Sequence, residues 1–490
     1  MQVTVNRKDT PFRPDASRVI ARFLYTGDKR SKSLIQAVLQ LSESETSSAL
    51  SQTLRDYSLR HRNISKIFEN HFSKIAHLFP ELGVDQDTLT ETQKILIGSY
   101  FTMEYSIESA AFFNPSIIEH PYQTETGPGE LRVIISFRAT GEGHISSIVF
   151  RTGVLDQQNK LILEPVGNML EEAEHIRRHV YNKEQFRRKL DEMHTLKSII
   201  PPSLILDKLK DEFTYGELRI CIEEARKAHH LEADKELLFN QIIWLASSHY
   251  ELQFSLDTNI SERVIFPVSA NEKKGIEDAR FVKFTEENGK QIYYATYTAY
   301  DGNTILPKML ETTDFYHFKI LPLHGEIAQN KGMAMFPRKV NGKYAMLCRL
   351  DGFNNYISFS ENITVWRDAT LLQQPKYPWE LIQIGNCGSP IETEDGWLVI
   401  THGVGPMREY VLGASLLDLD NPVKLIGRLQ YPLLVPNEEE REGYVPNVVY
   451  SCGSLIHNDD LIIPYAMSDY ASTYATVNLR ELLNELKKSS

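Results

Sequence analysis

The sequence predicts a mainly β protein, a five-bladed β-propeller with an N-terminal helical region and a helical insertion. Short runs rich in Val, Ile, Tyr and Phe alternate with Gly, Asn and Asp turns, as strands and turns do. Two long segments instead place apolar residues three and four positions apart, which is typical of helices. One turn-and-strand pattern also recurs five times. The predicted domains are an N-terminal strand and helical region, a first blade, a helical insertion, and the remaining blades with a C-terminal helix, at residues 1–108, 109–165, 166–253 and 254–490.

The five repeats each begin at a turn and continue into a strand that ends in a polar residue. The last four recur at about 50 to 65 residues, close to the length of a four-stranded propeller blade with its loops. Five repeats therefore predict five blades. The repeats lie at residues 129–138, 289–301, 341–349, 395–402 and 458–469.

The polar residues at the ends of these repeats predict a ligand site. The inner strands of a propeller run along its central channel, so equivalent strand ends would meet in one axial pocket. The alternative is that the strands simply become polar where they reach solvent. The five residues are Arg138, Asp301, Arg349, His402 and Asp469.

Composition and charge exclude several classes of protein. The 490 residues include 53 Lys and Arg against 65 Asp and Glu, a net charge of −12, which argues against a nucleic-acid partner. The first residues carry charges where a secretory signal needs an apolar stretch, and no segment approaches the roughly 18 apolar residues of a membrane span. We therefore expect a cytoplasmic protein with no membrane partner.

No metal site or organic cofactor is predicted. The four cysteines are far apart and lack paired spacing, so they indicate neither a zinc site nor a redox dithiol. His229 and His230 lie in a helical stretch, and His324 is isolated, so none of the three suggests a ligand set.

The two helical segments, near residues 30–105 and 168–252, have no function that the sequence specifies. They could narrow a substrate pocket, brace the propeller, or form the interface of a homo-oligomer. These alternatives stay open.

The sharpest local motif is Gly-Ile-Glu-Asp-Ala-Arg at residues 275–280, directly before a strand. Arg280 could hold one of the two neighbouring acids, Glu277 or Asp278, while the other faces a ligand. Neighbouring acids also raise each other's pKa, which suits a general acid. Taken alone, the motif is better explained as a surface ion cluster.

Other residues add binding groups of three kinds. An amide can bind sugar hydroxyls, cations can bind an anion, and aromatic faces can stack on sugar rings, although each tyrosine taken singly is better explained as a core residue. These residues are Asn114, Lys331, Arg338, Lys339, Tyr300 and Tyr410.

Ten short motifs, in order along residues 110–160 and 260–480, resemble glycoside hydrolase family 130. The resemblance leaves both helical segments unexplained. The motifs are Asn114-Pro115, residues 137–142, 275–280 and 297–302, Asn330-Lys331, Phe336-Pro337, and residues 341–344, 396–403, 416–420 and 445–447.

The resemblance implies a five-bladed propeller that cleaves β-mannosidic bonds with inversion, and β-1,2-mannosides are the expected substrates. The family's general acid falls on Asp278, while Ala279 replaces the family's usual proline. In the family, the proton reaches the glycosidic oxygen through a hydroxyl of the bound mannose. Asp278 is therefore the expected catalytic residue, and the polar residues above are expected to bind substrate.

The family contains both phosphorylases and hydrolases, and the cations should decide between them. By resemblance, Arg338, Lys339, His402 and Tyr410 match phosphate-binding positions, but Gln383 replaces a lysine of the phosphorylases. Losing that cation could cost about 1.5–3 kcal/mol of phosphate binding, which favours hydrolysis. The alternative is a phosphorylase that uses inorganic phosphate as co-substrate and releases α-mannose 1-phosphate.

A hydrolase needs a base on the face of the sugar opposite the acid, at about 6.5–9.5 Å between the carboxyl groups. The sequence does not assign this base, and the candidates are Glu361, Glu409 and Glu442. A second alternative is a non-catalytic carbohydrate-binding propeller, since no base is identified and two helical segments are unexplained.

Overall fold

The protein is mainly β in the computed structural model, with more residues in strands than in helices. The structure describes residues 3–167, 169–176, 180–192, 201–228, 233–302 and 305–488. None of the helices in these residues combines the length and the apolar character that crossing a membrane requires. His229 and His230 lie outside the described residues.

The N-terminal region contains four α-helices between two paired strands. Two of the helices begin with capping boxes, Ser42 with Glu45 and Thr90 with Gln93, which satisfy otherwise unpaired backbone N–H groups. The helices pack around a core of their own, and the flanking strands pair antiparallel. The elements are β1 (Val5–Arg7), β2 (Val19–Phe23), α1 (Asp28–Leu39), α2 (Glu43–Tyr57), α3 (Ile64–Lys74), α4 (Glu91–Tyr100) and β3 (Thr102–Ser106).

The first antiparallel sheet unit has apolar cores on both of its faces. Along its second strand, Val133, Ile135 and Phe137 pack into one core and Ile134 into another, as the two-residue period of a strand requires. Burial on both faces explains why this strand reads as a nearly continuous apolar run. The strands are β4 (Ala111–Glu119), β5 (Leu131–Thr140), β6 (Ser146–Leu155) and β7 (Leu161–Leu163).

The predicted helical insertion contains short strands as well as helices. Its helices surround a separate apolar core that includes Phe213, Ile222 and Phe239. The elements are β8 (Glu171–Glu172), β9 (Glu174–Ile176), β10 (Val180–Asn182), α5 (Lys183–Glu192), α6 (Ser203–Leu206), β11 (Glu212–Thr214), α7 (Tyr215–Ala228), α8 (Ala233–Ser248) and β12 (Tyr250–Gln253).

The rest of the chain forms four more sheet units and a C-terminal helix. The short strand β13 (Arg263–Ile265) pairs with β6 and belongs to the first unit. The first two of the further units contain β14 (Gly275–Thr285), β15 (Gln291–Tyr300), β16 (Ile305–Thr312), β17 (His317–Pro322), β18 (Ala334–Met335), β19 (Tyr344–Cys348), β20 (Asn355–Ser360) and β21 (Ala369–Gln373). The last two contain β22 (Gln383–Asn386), β23 (Ile391–Thr393), β24 (Gly396–Val404), β25 (Tyr410–Leu417), β26 (Leu425–Arg428), β27 (Val449–Tyr450), β28 (Leu455–His457), β29 (Asp460–Met467) and β30 (Ala471–Asn478), followed by α9 (Leu479–Lys488).

Five units of four antiparallel strands can be followed through this topology. Their strand orders are β4-β5-β6-β13, β14-β15-β16-β17, β18-β19-β20-β21, β22-β24-β25-β26 and β27-β29-β30-β1. Because β1 completes the fifth unit, the two ends of the chain share one sheet. The predicted domain boundaries fall between elements, but β12 of the insertion pairs with β17, so the insertion extends the sheet of the second unit.

The five repeats in the sequence are the second strands of these units. They correspond to β5, β15, β19, β24 and β29, and a different strand precedes each one in its unit. Each repeat is therefore the second strand of its unit and not the first. The preceding strands escaped notice because β18, β22 and β27 are only two to four residues long.

Candidate active site

Asp278 and Asn114 lie at β-bulges in the first strands of two neighbouring units. The pairing of β14 with β15 shifts between Glu277 and Arg280, and the pairing of β4 shifts around Asn114 in the same way. The φ angles of Asp278 and Asn114 are 57° and 51°, in the left-handed region that non-glycine residues seldom adopt. A bulge re-aims a side chain out of the regular alternation, and here it brings the two side chains together.

Five residues from three units form what we call the acid cluster: Asn114, Arg138, Glu277, Asp278 and Lys331. The Asn114 amide donates to Oδ1 of Asp278 at 2.7 Å, and Nη1 of Arg138 lies 3.4 Å from the same oxygen. Arg138 and Lys331 each donate to a different oxygen of Glu277 at 2.6 Å. Glu277 thus holds both cations, while one oxygen of Asp278 is left to face a ligand.

A second group, the arginine cluster, consists of Arg280, Arg349, Gln383, His402 and Tyr450. Arg280 donates to the Tyr450 hydroxyl at 2.7 Å and to the backbone carbonyl of Asp278 at 3.3 Å. Nε2 of His402 lies 2.9 Å from the side-chain amide of Gln383 and 3.5 Å from Nη1 of Arg349. The His402 ring also packs against Tyr450, with ring centroids 5.0 Å apart.

Two guanidinium nitrogens of the arginine cluster are buried without an acceptor. Within the described residues, neither Nε of Arg280 nor Nε of Arg349 has a hydrogen-bond partner. Buried donors are nearly always paired in proteins, so these two donors are available to a ligand that enters the site. Two such donors on cations suit an anionic oxygen ligand.

The protein cations set the ionisation of Asp278. Burial alone would raise the pKa of this carboxyl, but the charges of Arg138, Lys331 and Arg280 and the hydrogen bond from Asn114 outweigh burial and lower the pKa. The protein groups by themselves therefore keep Asp278 ionised at neutral pH.

Asp469 and His402 have pKa values shifted mainly by burial. Burial raises the pKa of Asp469 to about 6, and the nearby charge of Asp278 adds to the rise while Arg138 opposes it. Burial, reinforced by the charges of Arg349 and Arg280, lowers the pKa of His402 well below its usual value. His402 is therefore neutral at physiological pH and serves as a hydrogen-bonding group rather than a cation.

Three other predicted residues lie close to these clusters. Tyr410 stacks on the His402 ring with centroids 6.0 Å apart. Tyr300 pairs in register with Gly275, at the start of the strand that carries Asp278, and its hydroxyl donates to the Gly302 carbonyl at 2.9 Å. Asp301 directly follows Tyr300 at the same end of the sheet.

Arg338 and Lys339 are not brought to these clusters, contrary to the prediction. Arg338 makes a two-pronged ion pair with Glu392 at 2.8 and 2.6 Å, and Nζ of Lys339 lies 4.0 Å from Glu287. Arg338 also lines a cavity of about 520 Å³ at the opposite ends of the strands that carry Asn114 and Asp278. Arg338 and Lys339 follow β18, whereas Lys331 precedes it, so the two groups of cations leave this strand at opposite ends.

The three glutamates considered as a base are at the surface or already paired. Glu361 and Glu442 are exposed, and Glu409 forms a 3.4 Å ion pair with Arg441.

The sequence analysis missed Tyr450, which joins Arg280 to His402. The motif at residues 445–447, which lies just before β27, could have pointed to Tyr450, but the sequence assigns that motif no role beyond the resemblance. The prediction of no metal site stays a prediction, although no group of three or more His, Cys, Asp or Glu in the described residues is arranged to hold a metal ion.

Named relatives that match this chain in sequence are mannoside phosphorylases. The family model of glycoside hydrolase family 130, described as β-1,4-mannooligosaccharide phosphorylase, matches residues 232–488. A 1,2-β-oligomannan phosphorylase of Thermoanaerobacter sp. (strain X514) is 34% identical over 228 residues, which span 44% of this chain and 74% of the relative. A β-1,2-mannobiose phosphorylase of Listeria innocua serovar 6a is 28% identical over 290 residues, 57% of this chain and 78% of the relative.

A solved structure of the β-1,2-mannobiose phosphorylase from Listeria innocua, in complex with β-1,2-mannobiose, aligns with 79% of this chain and 94% of its own at 21% identity, with a TM-score of 0.47. Because the family model covers more than half of the chain, this protein is an enzyme of glycoside hydrolase family 130.

Proposed function

We propose that this enzyme is an inverting phosphorylase of β-mannosides, with β-1,2-linked mannosides as its substrates. The proposal replaces the expectation of hydrolysis, which the named relatives do not support, since they are phosphorylases. The observation that carries it is the pair of buried, unpaired Nε donors of Arg280 and Arg349, which suit a phosphate oxygen. The exposed or ion-paired state of the candidate bases also argues against water as nucleophile.

The two clusters fit the two halves of the reaction. A phosphate oxygen held by Arg280 and Arg349 attacks C1 of the mannosyl unit, and the bond from C1 to the glycosidic oxygen breaks on the opposite face. Asp278 supplies the proton that the leaving oxygen takes up, through a sugar hydroxyl as in the family. The products are α-mannose 1-phosphate and the shortened sugar, and a proton from solvent restores Asp278.

In this scheme, bound phosphate raises the pKa of Asp278, so that the carboxyl takes up a proton. The charges of Arg138, Lys331 and Arg280 lower the pKa of Asp278, whereas a phosphate dianion beside Arg280 would offset part of that positive charge. The pKa of the acid then rises when the nucleophile is in place. Asp278 is thus protonated, and able to act as the acid, when phosphate is in position to attack.

We also propose that the five sheet units are the blades of one propeller. Residues of all five units meet at the two clusters, as axial convergence requires: Asn114, Asp278, Lys331, His402 and Tyr450. A parallel bridge between Ser116 and Gly453 links the first unit to the fifth. Closure of the ring would leave only short, protected sheet edges.

The reaction is tested by incubating the enzyme with β-1,2-mannobiose or β-1,4-mannobiose, with and without phosphate. We expect α-mannose 1-phosphate from the β-1,2 disaccharide only when phosphate is present, identified as the α-anomer by NMR. Mannose released without phosphate would instead identify a hydrolase. Calorimetric binding of the disaccharide without any product would favour the carbohydrate-binding alternative.

A further inference from the structure

Two exposed rings from separate turns pack against each other beside the acid cluster. His144 lies in the turn between β5 and β6, and Tyr444 lies in the segment before β27. Their ring centroids are 5.6 Å apart with an interplanar angle of 32°. Tyr444 is 66% exposed and His144 is also exposed, so the pair is not part of an apolar core. Two exposed rings beside the acid cluster offer apolar faces on which a ligand can pack.

Both turns are fixed to residues of the site. The β5–β6 turn has positive φ at Gly143 (67°) and His144 (58°), and the Gly141 N–H closes it by donating to the Ile145 carbonyl at 3.2 Å. Two residues further on, Ser146 accepts a hydrogen bond from Nε of Arg138 at 2.9 Å. The Tyr444 segment is fixed by Val445, whose N–H donates to the Ser468 carbonyl at 3.0 Å, next to Asp469.

The ring pair lies on the side of the site that holds Arg138 and Asp469. Their turns are tied to groups around Asp278, through Ser146 on Arg138 and through Ser468 beside Asp469, whereas Arg349 and His402 of the arginine cluster come from the third and fourth units. In an inverting displacement the nucleophile and the leaving group occupy opposite faces of C1. Phosphate at the arginine cluster therefore leaves the ring-pair side to the leaving group.

We infer that His144 and Tyr444 form the subsite for the leaving-group sugar, which is the acceptor in the reverse reaction. This inference rests on the proposed function. The rings offer a flat, rigid surface to the apolar face of a pyranose, and tyrosine side chains do so at little cost in conformational entropy. The ligand class is thus a second mannose or another pyranoside, and the pair acts on specificity rather than on the chemical step.

The test compares two mannosyl donors that differ only in the leaving group. β-Mannosyl fluoride and phosphate give α-mannose 1-phosphate and fluoride, so this donor needs neither a leaving-group subsite nor a proton. For Tyr444→Ala we expect kcat/KM for β-1,2-mannobiose to fall by about tenfold, and kcat/KM for the fluoride to stay within about twofold. Tyr444→Phe should recover most of the loss, because it keeps the ring.

His144→Ala should likewise lower kcat/KM for β-1,2-mannobiose but not for the fluoride. Tyr100→Ala on helix α4 is the control, because it removes an exposed tyrosine that lies outside the site. Equal losses with both donors, or no loss with either, would overturn the inference. Wild-type enzyme that converts the fluoride confirms phosphorolysis independently of the ring pair. If no turnover occurs, calorimetry in the Asp278→Asn background still decides, since Tyr444→Ala should weaken binding of β-1,2-mannobiose but not of mannose.

Discussion

The side chain of Asn114 donates a 2.7 Å hydrogen bond to Asp278, although the two residues are 164 positions apart in the chain. Each occupies a bulge in the first strand of its unit, with φ near the left-handed helical value. The same backbone device therefore appears twice around one site. It fixes the orientation of the acid before substrate binds, and pre-orientation of a proton donor favours catalysis.

Replacing Asp278 by Asn should abolish proton donation while keeping the shape of the site. We expect kcat for β-1,2-mannobiose to fall by about 10² to 10⁴-fold, the usual contribution of a general acid. β-Mannosyl fluoride should be much less affected, because fluoride leaves without a proton. Steady-state kinetics with both donors measures the difference, and a variant that keeps its activity on the disaccharide would rule out Asp278 as the acid.

Much of this site could be predicted from the sequence because its residues lie at turns and strand ends. The motif at residues 275–280 and the strand-end residues Arg138, Arg349 and His402 were identified from local patterns, and the structure brings them close together. A strand end marked by turn residues is visible in sequence. A contact between two distant strands is not.

The misplacement of Arg338 shows what local patterns leave out. Its partner, Glu392, is 54 residues away, and nothing near either residue signals that ion pair. The insertion gave a similar difficulty, because β12 joins the second unit through a pairing with β17 that only the tertiary structure reveals. Charge near a motif is therefore a weaker guide than the position of a residue relative to its strand.

Arg349 and Arg338 should differ in their effect on phosphate. Arg349→Ala removes a charge-assisted donor from the arginine cluster, so we expect KM for phosphate to rise by about tenfold or more. Arg338→Ala is the matched control: it removes an equal charge but breaks only a partly exposed pair with Glu392. Initial rates at varied phosphate concentration measure both effects. A larger effect from Arg338 would restore the original assignment.

The half-buried carboxyl of Asp469 should make the protein less stable as pH rises. Its folded pKa is about 6, above the ordinary value of 3.8, so between these values the folded state binds more protons than the unfolded state. Stability from this group is therefore full at low pH and is lost as pH rises through 6. At pH 7.5 we expect Asp469→Asn to have a free energy of unfolding about 2 kcal/mol higher than wild type, measured by urea unfolding. At pH 4 we expect no difference between the two proteins. A constant difference at both pH values would contradict this origin.

A buried ion pair braces the chain just before the acid motif. Glu272 accepts hydrogen bonds from Lys308 at 2.9 Å, from Tyr297 at 2.7 Å and from Tyr250 of the insertion at 2.8 Å. Burial would raise the pKa of Glu272, but Lys308 and these hydrogen bonds lower it to about 2. The stability contributed by Glu272 is thus present above pH 4.5 and is lost as pH falls toward 2.

Glu272→Gln should accordingly destabilise the fold by about 3–5 kcal/mol, because Lys308 is left buried without a counter-charge. Tyr250→Phe removes one hydrogen bond and should cost about 1 kcal/mol. Urea unfolding measures both values, and the double variant Glu272→Gln/Lys308→Met should recover part of the loss. A Glu272→Gln protein as stable as wild type would show that the pair does not hold this segment.

Gln383 occupies the position where the resemblance to phosphorylases predicts a lysine, and its amide lies 2.9 Å from Nε2 of His402. Gln383→Lys should add a cation beside Arg349, and KM for phosphate should fall by about tenfold. Repulsion between the two cations should lower the melting temperature without phosphate and be relieved when phosphate is added. Gln383→Met is the control, because methionine has a similar length and no charge. It should neither lower KM for phosphate nor make the melting temperature depend on added phosphate in this way. An unchanged or higher phosphate KM in the lysine variant would mean that the nucleophile binds elsewhere than at Arg349 and His402.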